Sequence, residues 1–255
     1  MKAKLHKIVL PAMVTVSLFG ITTELQASFI QLGRTNYLQN FDTLNSSGKS
    51  KTLPTGWAVF TQDNQINADD GNATQAGAYS YGNIGISDRA LGMLIGKGNN
   101  PQFFGADFQN AGHGPITQLN ISYTGEEWRL GMAGGSPNQL QFQYSLNAGS
   151  LNSGTWINVP SLSFMTPNTA GVGAHNGNLA ANQVPVSGTI SFLNIPTGGT
   201  FWIRWQEVVN GTSAGDGLAV DNFSLSAVPE ASTYAAAFGA LALLGVRFWK
   251  RCSVA

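Results

Sequence analysis

Residues 200–208, reading Thr-Phe-Trp-Ile-Arg-Trp-Gln-Glu-Val, bring together more side chains capable of recognition than any other stretch of this chain. Their alternation predicts a strand with Phe201, Ile203 and Trp205 on one face and Trp202, Arg204 and Gln206 on the other. The first set suits a core. The second combines an indole, a guanidinium and an amide, which is what sugar recognition uses: a ring against the apolar face of a pyranose and polar groups on its hydroxyls. Trp202, Arg204 and Gln206 are therefore a candidate carbohydrate face. In the structural alternative a loop covers Trp202, and Arg204 pairs with Glu126 or Glu127 of the GEEWR segment.

Groups for catalysis are fewer. Adjacent Glu126 and Glu127 on a strand would point to opposite faces, so they cannot together flank one glycosidic bond. His113 and His175 lie in the glycine-rich contexts AGHGP and GAHNG, and the chain has no HExxH, His-x-His or GxSxG pattern. No catalytic residue is assigned. An oxygen-rich run from Asp63 to Asn72 lacks the downstream Glu of an EF-hand loop, and its Asp and Asn residues suit Asx-turns.

The elements that would hold these groups are strands. Residues 28–229 are rich in Gly, Asn, Ser and Thr, with short alternating apolar runs such as Leu140, Phe142, Tyr144 and Leu119, Ile121, Tyr123. That pattern predicts an all-β fold of two antiparallel sheets, with about ten strands in all. Residues 119–124 and 128–132 are separate strand candidates, and further strands are expected at 200–208 and 217–225. The stretch from Thr166 to Asn182 is long for a connection and reads as a mobile surface loop.

Both ends of the chain read as addresses. Lys2, Lys4 and Lys7 precede an apolar stretch from Ile8 to Ile21, and a small-residue site at Leu25-Gln26-Ala27 follows, the pattern of a secretory signal peptide cut after Ala27. At the other end an apolar run from Tyr234 to Val246 closes on Arg247, Lys250 and Arg251. Thirteen residues span about 20 Å as a helix, against about 30 Å of bilayer hydrocarbon. Extended through Trp249, with Arg247 reaching the interface, residues 234–249 make a short single span. Basic clusters at both ends place everything between them outside. The expected organisation is a signal peptide (1–27), one β-sandwich (28–226) and a membrane-directed tail (227–255).

Between those ends lie seven basic side chains (Arg34, Lys49, Lys51, Arg89, Lys97, Arg129, Arg204) and eleven acidic ones, a mildly acidic balance with no electrostatic footprint for nucleic acid. The single cysteine, Cys252, lies in the tail, so the sandwich contains no disulfide.

Two resemblances follow from these residues. Val228, Pro229, Glu230, Ala231 and Ser232, followed by the apolar run and the basic end, resemble the PEP-CTERM sorting signal of Gram-negative, exopolysaccharide-producing bacteria, with Ala231 where that signal carries a second proline. This resemblance implies Sec-type export, an inner-membrane anchor and processing by an exosortase-type membrane protease. The opening Asn40-Phe41-Asp42 with Leu53-Pro54-Thr55-Gly56-Trp57, and the close Asp216-Gly217-Leu218-Ala219-Val220-Asp221-Asn222-Phe223, look like secreted jelly-roll domains related to carbohydrate-binding modules. In such domains the terminal strands lie side by side, and carboxylates near them hold structural calcium. Here that implies Asp42 and Asp221. The expectation is a non-catalytic cell-surface protein, structural or carbohydrate-binding, in an exopolysaccharide layer. The alternative is a secreted glycan hydrolase on the same scaffold.

Overall fold

A computed structural model of the chain describes residues 29–94, 101–209 and 215–229. The signal-peptide segment, the membrane-directed run and Glu230, Ala231, Ser232, Arg247, Lys250 and Arg251 lie outside the described residues. Sixteen strands form among those described: β1 (Ile30–Leu32), β2 (Tyr37–Gln39), β3 (Lys49–Ser50), β4 (Trp57–Phe60), β5 (Ile66–Asp69), β6 (Gly77–Tyr81), β7 (Ala90–Leu94), β8 (Phe103–Asn110), β9 (Ile116–Leu130), β10 (Gln139–Ser145), β11 (Ile157–Asn158), β12 (Phe164–Met165), β13 (Gly173–Ala174), β14 (Gln183–Ile190), β15 (Thr200–Val208) and β16 (Gly217–Pro229). One sheet runs β1-β8-β15-β10-β11, with β4 also on β8 and β12 also on β10. The other runs β13-β9-β16-β7-β6-β5-β3, with β14 also on β9 and β2 also on β16.

The fold is all-β and two-layered, but the sheets are mixed rather than purely antiparallel: β1 joins β8 and β5 joins β6 in parallel. β1 meets β8 from 78 positions away, whereas β5 and β6 are joined by residues 70–76 alone, and an alternation pattern records neither pairing. The opening and closing segments do lie side by side, with Gln39 opposite Phe223.

Residues 116–130 form one strand where the sequence suggests two. The carboxyl side chains of Glu126 and Glu127 do not interrupt the ladder: both are buried, the Glu126 backbone pairs with Gln183 on one side and Ala219 on the other, and the Glu127 backbone pairs with Leu218. Pro185 lies in β14, which pairs only with β9 among the described strands, so its missing N–H costs no ladder bond on the free side.

Between the sheets the core is aromatic. Trp205 is fully buried, with its ring stacked on Trp57 (6.1 Å) and Phe104 (5.3 Å) and met edge-on by Tyr123, Phe142 and Phe223. Burial of one such ring is worth about 3 kcal/mol or more, and with no disulfide available this cluster supplies much of the fold's cohesion.

The thirteen residues of β16 give the molecule a long axis of about 43 Å at ~3.3 Å per residue. At its start Gly217 pairs with Leu94, which pairs in turn with Gly77; at its far end Pro229 pairs with Ile116. The first is called the distal end below, and the second, where the chain leaves toward its C-terminus, the basal end.

Candidate functional site

At the distal end the two sheets part and leave a cleft of about 770 Å³. Four separate stretches build it: Lys49 in β3, the end of β4 with the turn that follows, Asn67 with the approach to β6, and Pro101–Gln102 ahead of β8. Phe60 supplies ring surface, the buried Tyr79 backs the wall, and Gln62, Asn67, Gln75 and Gln102 supply amides. Phe60 is held by stacking on Phe103 at 6.0 Å, while the Tyr79 hydroxyl donates to the Gln75 carbonyl at 2.6 Å. Burial, helped by nearby Asp69 and Asp63, pushes the Tyr79 phenol up to about 12, so it enters no reaction as a phenolate near neutral pH.

The turn at the mouth is rigid for local reasons. Asn64 adopts a left-handed backbone, its side chain accepts from the Thr61 N–H, and the Thr61 hydroxyl accepts from the Asn64 N–H. Asp63 then faces Lys49 across the rim at 3.3 Å. Partial burial opposes its charge, but Lys49 and the donors Gln65 and Thr61 outweigh that and hold its carboxyl below the usual range. The rim charges cancel, leaving a neutral, amide-lined cleft. One interior group is poised for a ligand: Gln102 is buried, and its Oε1 has no hydrogen-bond partner. An unpaired buried acceptor costs about 1–3 kcal/mol, which a donor entering the cleft removes.

Arg204 does not present its guanidinium on an open face with Trp202 and Gln206. It is buried, with Cζ 3.8 Å from the Phe103 ring centre and 3.9 Å from that of Trp156. Nε donates to Gln143 Oε1 at 2.6 Å, and Nη1 donates to the Leu151 carbonyl. Burial pulls its pKa down to about 10, and it is held by carbonyl oxygens and ring faces rather than by Glu126 or Glu127. The residue thus pins the 146–156 loop across the sheet. Trp202 and Gln206 remain half-buried beside it. The cage was not legible beforehand, because Trp156 lies 48 positions from Arg204 in a loop with no periodicity of its own.

Opposite Trp202 stands Asp107, buried and with Oδ1 unpartnered. Burial pushes its carboxyl up to about 7. Between the free-carboxylate value of about 3.9 and about 7 the folded chain holds a proton that the unfolded chain has released, so stability falls as pH rises through that window and is level above it. Asp107→Asn is expected to gain about 1–3 kcal/mol in denaturant melts at pH 8 and almost nothing at pH 4. A loss at pH 8 would mean that the fold uses the charge.

Glu126 and Glu127 point to opposite faces, and each is occupied. Glu126 accepts from Trp128 Nε1 and Gln183 Nε2, and burial pushes it up to about 8. Glu127 Oε2 accepts from the Asn168 backbone and side-chain amides, both at 3.0 Å, while Oε1 lies 3.0 Å from His175 Nδ1 without hydrogen-bond alignment. Burial raises the Glu127 carboxyl above its ordinary value. Through these contacts Glu127 clamps residues 166–182, which carry the short strand β13 on β9 and a 3-10 turn at Ala180–Asn182, and Glu126 holds Gln183 at the start of β14. The cleft itself is lined by one carboxylate, Asp63, whereas two-carboxylate glycoside hydrolysis needs a facing pair.

Asp221 is buried with Oδ1 unpartnered, and burial followed by the charges of Asp88 and Asp42 pushes it up to about 7. Asp42 is exposed, and its oxygens accept from Asn40 Nδ2 and the Arg89 N–H. Among the described residues no three His, Cys, Asp or Glu side chains converge as a metal-ion group. In the 63–72 run Asp69 accepts from the Gly71 and Ala73 amides and Asp70 from Asn72, so those oxygens close turns. Val228 and Pro229 continue β16 and pair with Gln118 and Ile116. Among the described residues no helix is long and apolar enough to cross a membrane.

No protein-family model matches the chain, and no curated protein does. Solved structures show some similarity. The K1 cleaved adhesin domain of Lys-gingipain from Porphyromonas gingivalis W83 overlays with a TM-score of 0.40 at 11% identity, over 76% of this chain and 99% of that one. The N-terminal CBM22-1-CBM22-2 tandem domain from Paenibacillus barcinonensis Xyn10C gives 0.40 at 13%, over 80% and 49%. The N-terminal cellulose-binding domain of Cellulomonas fimi β-1,4-glucanase C gives 0.35 at 12%, over 74% and 100%. The chain also overlays on the enzymatically active domain of bacteriophage CBA120 tailspike protein 4 (TM-score 0.36, 9% identity, 74% of this chain), where it spans 21% of that chain's length.

Proposed function

We propose that this chain is an exported, non-catalytic domain that is held at a membrane by its C-terminal segment and takes up a neutral polysaccharide in the distal cleft. The observation that carries the reading is the cleft's chemistry: ring surface from Phe60, four amides, mutually cancelling rim charges and an unsatisfied Oε1 on Gln102. Amides serve as donor and acceptor at once, which suits hydroxyl groups, and the absence of net charge in the lining favours a neutral chain over an acidic one. The cleft's single, ion-paired carboxylate supports binding over hydrolysis. Export and anchoring rest on the signal-peptide pattern and on the tail's box, apolar run and basic end. An exopolysaccharide layer and an exosortase-type protease are the setting implied by the tail's resemblance.

A glycan array probed with the full-length chain tests this reading. Retention on neutral glycans is expected; retention on acidic glycans alone, or on none, would sink it.

Structural calcium at Asp42 and Asp221 belongs to the same proposal. Its support is the buried, unpartnered Asp221 Oδ1 with a second carboxylate near enough to raise its pKa. Calcium wants six to eight oxygens, so the two carboxylates would be joined by carbonyls or water. At a calcium concentration a hundredfold above its Kd the ion adds about 2.7 kcal/mol to folding. A rise in Tm with calcium that EDTA reverses and Asp221→Asn abolishes is expected. An unchanged Tm would remove the ion from the account.

A further inference from the structure

The basal end carries an exposed aromatic that folding does not explain. Phe192, in the connection between β14 and β15, is fully exposed and holds a left-handed backbone with φ 61°. A bulky residue pays there in backbone strain without any burial in return, and strain of this kind persists where something other than folding uses it. The next residue fixes its place: the Leu193 N–H donates to the Thr117 carbonyl, and the Thr117 hydroxyl donates to the Val228 carbonyl at 3.2 Å. Phe192 therefore stands beside the last strand residues of the described chain, and Val228 is itself exposed.

Two more observations say what faces this end. From Pro229 to Tyr234, where the apolar run begins, there are five residue steps, a reach of at most about 18 Å. The polar headgroup layer on one side of a bilayer is about 5–8 Å deep, so a membrane that holds the apolar run lies within contact distance of the basal loops. Those loops are also free of carboxylates. Residues 31–37, 109–118 and 190–200 contain no Asp or Glu and include exposed Arg34 and His113, whereas all eleven acidic residues of the body lie elsewhere. The segments are joined there by Ala111 N–H to the Leu32 carbonyl and Thr197 hydroxyl to the Gly112 carbonyl.

We propose that Phe192, with Val228 beside it, is an interfacial contact that seats the basal end in the headgroup region of an anionic bilayer and holds the domain upright with its cleft outward. This inference rests on the membrane-anchored part of the proposed function and is independent of what the cleft binds. Aromatic side chains favour that depth, and three loops without carboxylates meet anionic lipid with little repulsion, Glu230 being the one acidic residue that follows in the tail.

The test uses the full-length chain with Cys252→Ser, reconstituted into vesicles of phosphatidylcholine and phosphatidylglycerol. A polarity-sensitive fluorophore is attached at Ser191→Cys or, at the distal end, at Val172→Cys. Flotation with the vesicles reports the anchor, and fluorophore emission reports the docking. Expected are co-flotation, blue-shifted emission at position 191 that spin-labelled lipid quenches, aqueous emission at position 172, and loss of the shift at 191 when Phe192→Ser is added. Co-flotation with aqueous emission at 191 overturns the docking and leaves the anchor standing. Failure to co-float overturns both. A blue shift that depends on protein concentration and ignores the quencher overturns the lipid contact in favour of a second copy of the chain.

Discussion

Trp205→Ala is expected to unfold most of the protein at room temperature. The side chain is fully buried, lies between the two sheets and is in ring contact with Trp57, Phe104, Tyr123, Phe142 and Phe223. Large-to-small changes of this kind cost about 3–5 kcal/mol, because the transfer term is joined by a cavity that five rigid rings cannot collapse to fill. A domain of ordinary stability has about 5–15 kcal/mol in total, so the variant keeps little margin. Trp205→Phe is expected to cost much less. The Trp205 indole N–H makes no well-aligned hydrogen bond, with the Tyr123 side chain as its polar neighbour, so Phe keeps the stacking and gives up little. Urea melts of both variants check this, and equal midpoints for Ala and Phe would mean that the cluster is not the keystone described above.

The largest functional effect is expected from Phe60→Ala combined with Gln102→Leu. The first removes ring surface from the cleft, and the second replaces the unsatisfied acceptor with an apolar group of similar size. Stacking and a hydrogen bond of about 1–2 kcal/mol each add to a loss of roughly 30- to 1000-fold in affinity for a neutral oligosaccharide. Phe60 is half-buried, and Gln102→Leu relieves an unpaired polar atom, so the fold should survive. Calorimetric titration of the variant and the parent gives the ratio, and thermal melts confirm that both are folded. Unchanged affinity would move the site elsewhere.

The residues explain how much of this was readable beforehand. Strand β15 follows directly from its aromatic alternation, and its inward face, Phe201, Ile203 and Trp205, is the one that the core buries. β9 reads as two pieces because GEEWR interrupts the apolar pattern with two carboxylates. What keeps it whole is the partners Asn168 and His175, from the connection that precedes β14, and Gln183, the first residue of β14, all more than forty positions away. The Asn168 and His175 contacts also order residues 166–182, whose Gly and Asn content reads as mobile. Asp42 and Asp221 do come within electrostatic reach of each other, because β2 pairs with β16 and brings the two ends of the sandwich together. The cleft was invisible for a different reason: Lys49, Phe60, Asn67, Gln75 and Gln102 belong to separate stretches with no shared spacing, and amides in loops look alike whether they line a cleft or face water.

The central claim is that ligand enters the distal cleft rather than lying on the sheet face around Trp202. Hydrogen–deuterium exchange of the full-length chain, with and without a saturating neutral oligosaccharide from the array, tests it most directly. Added protection is expected in residues 60–67, 75–79 and 101–102, with residues 141–145 and 202–206 unchanged. Protection confined to 141–145 and 202–206, or found nowhere, would contradict it.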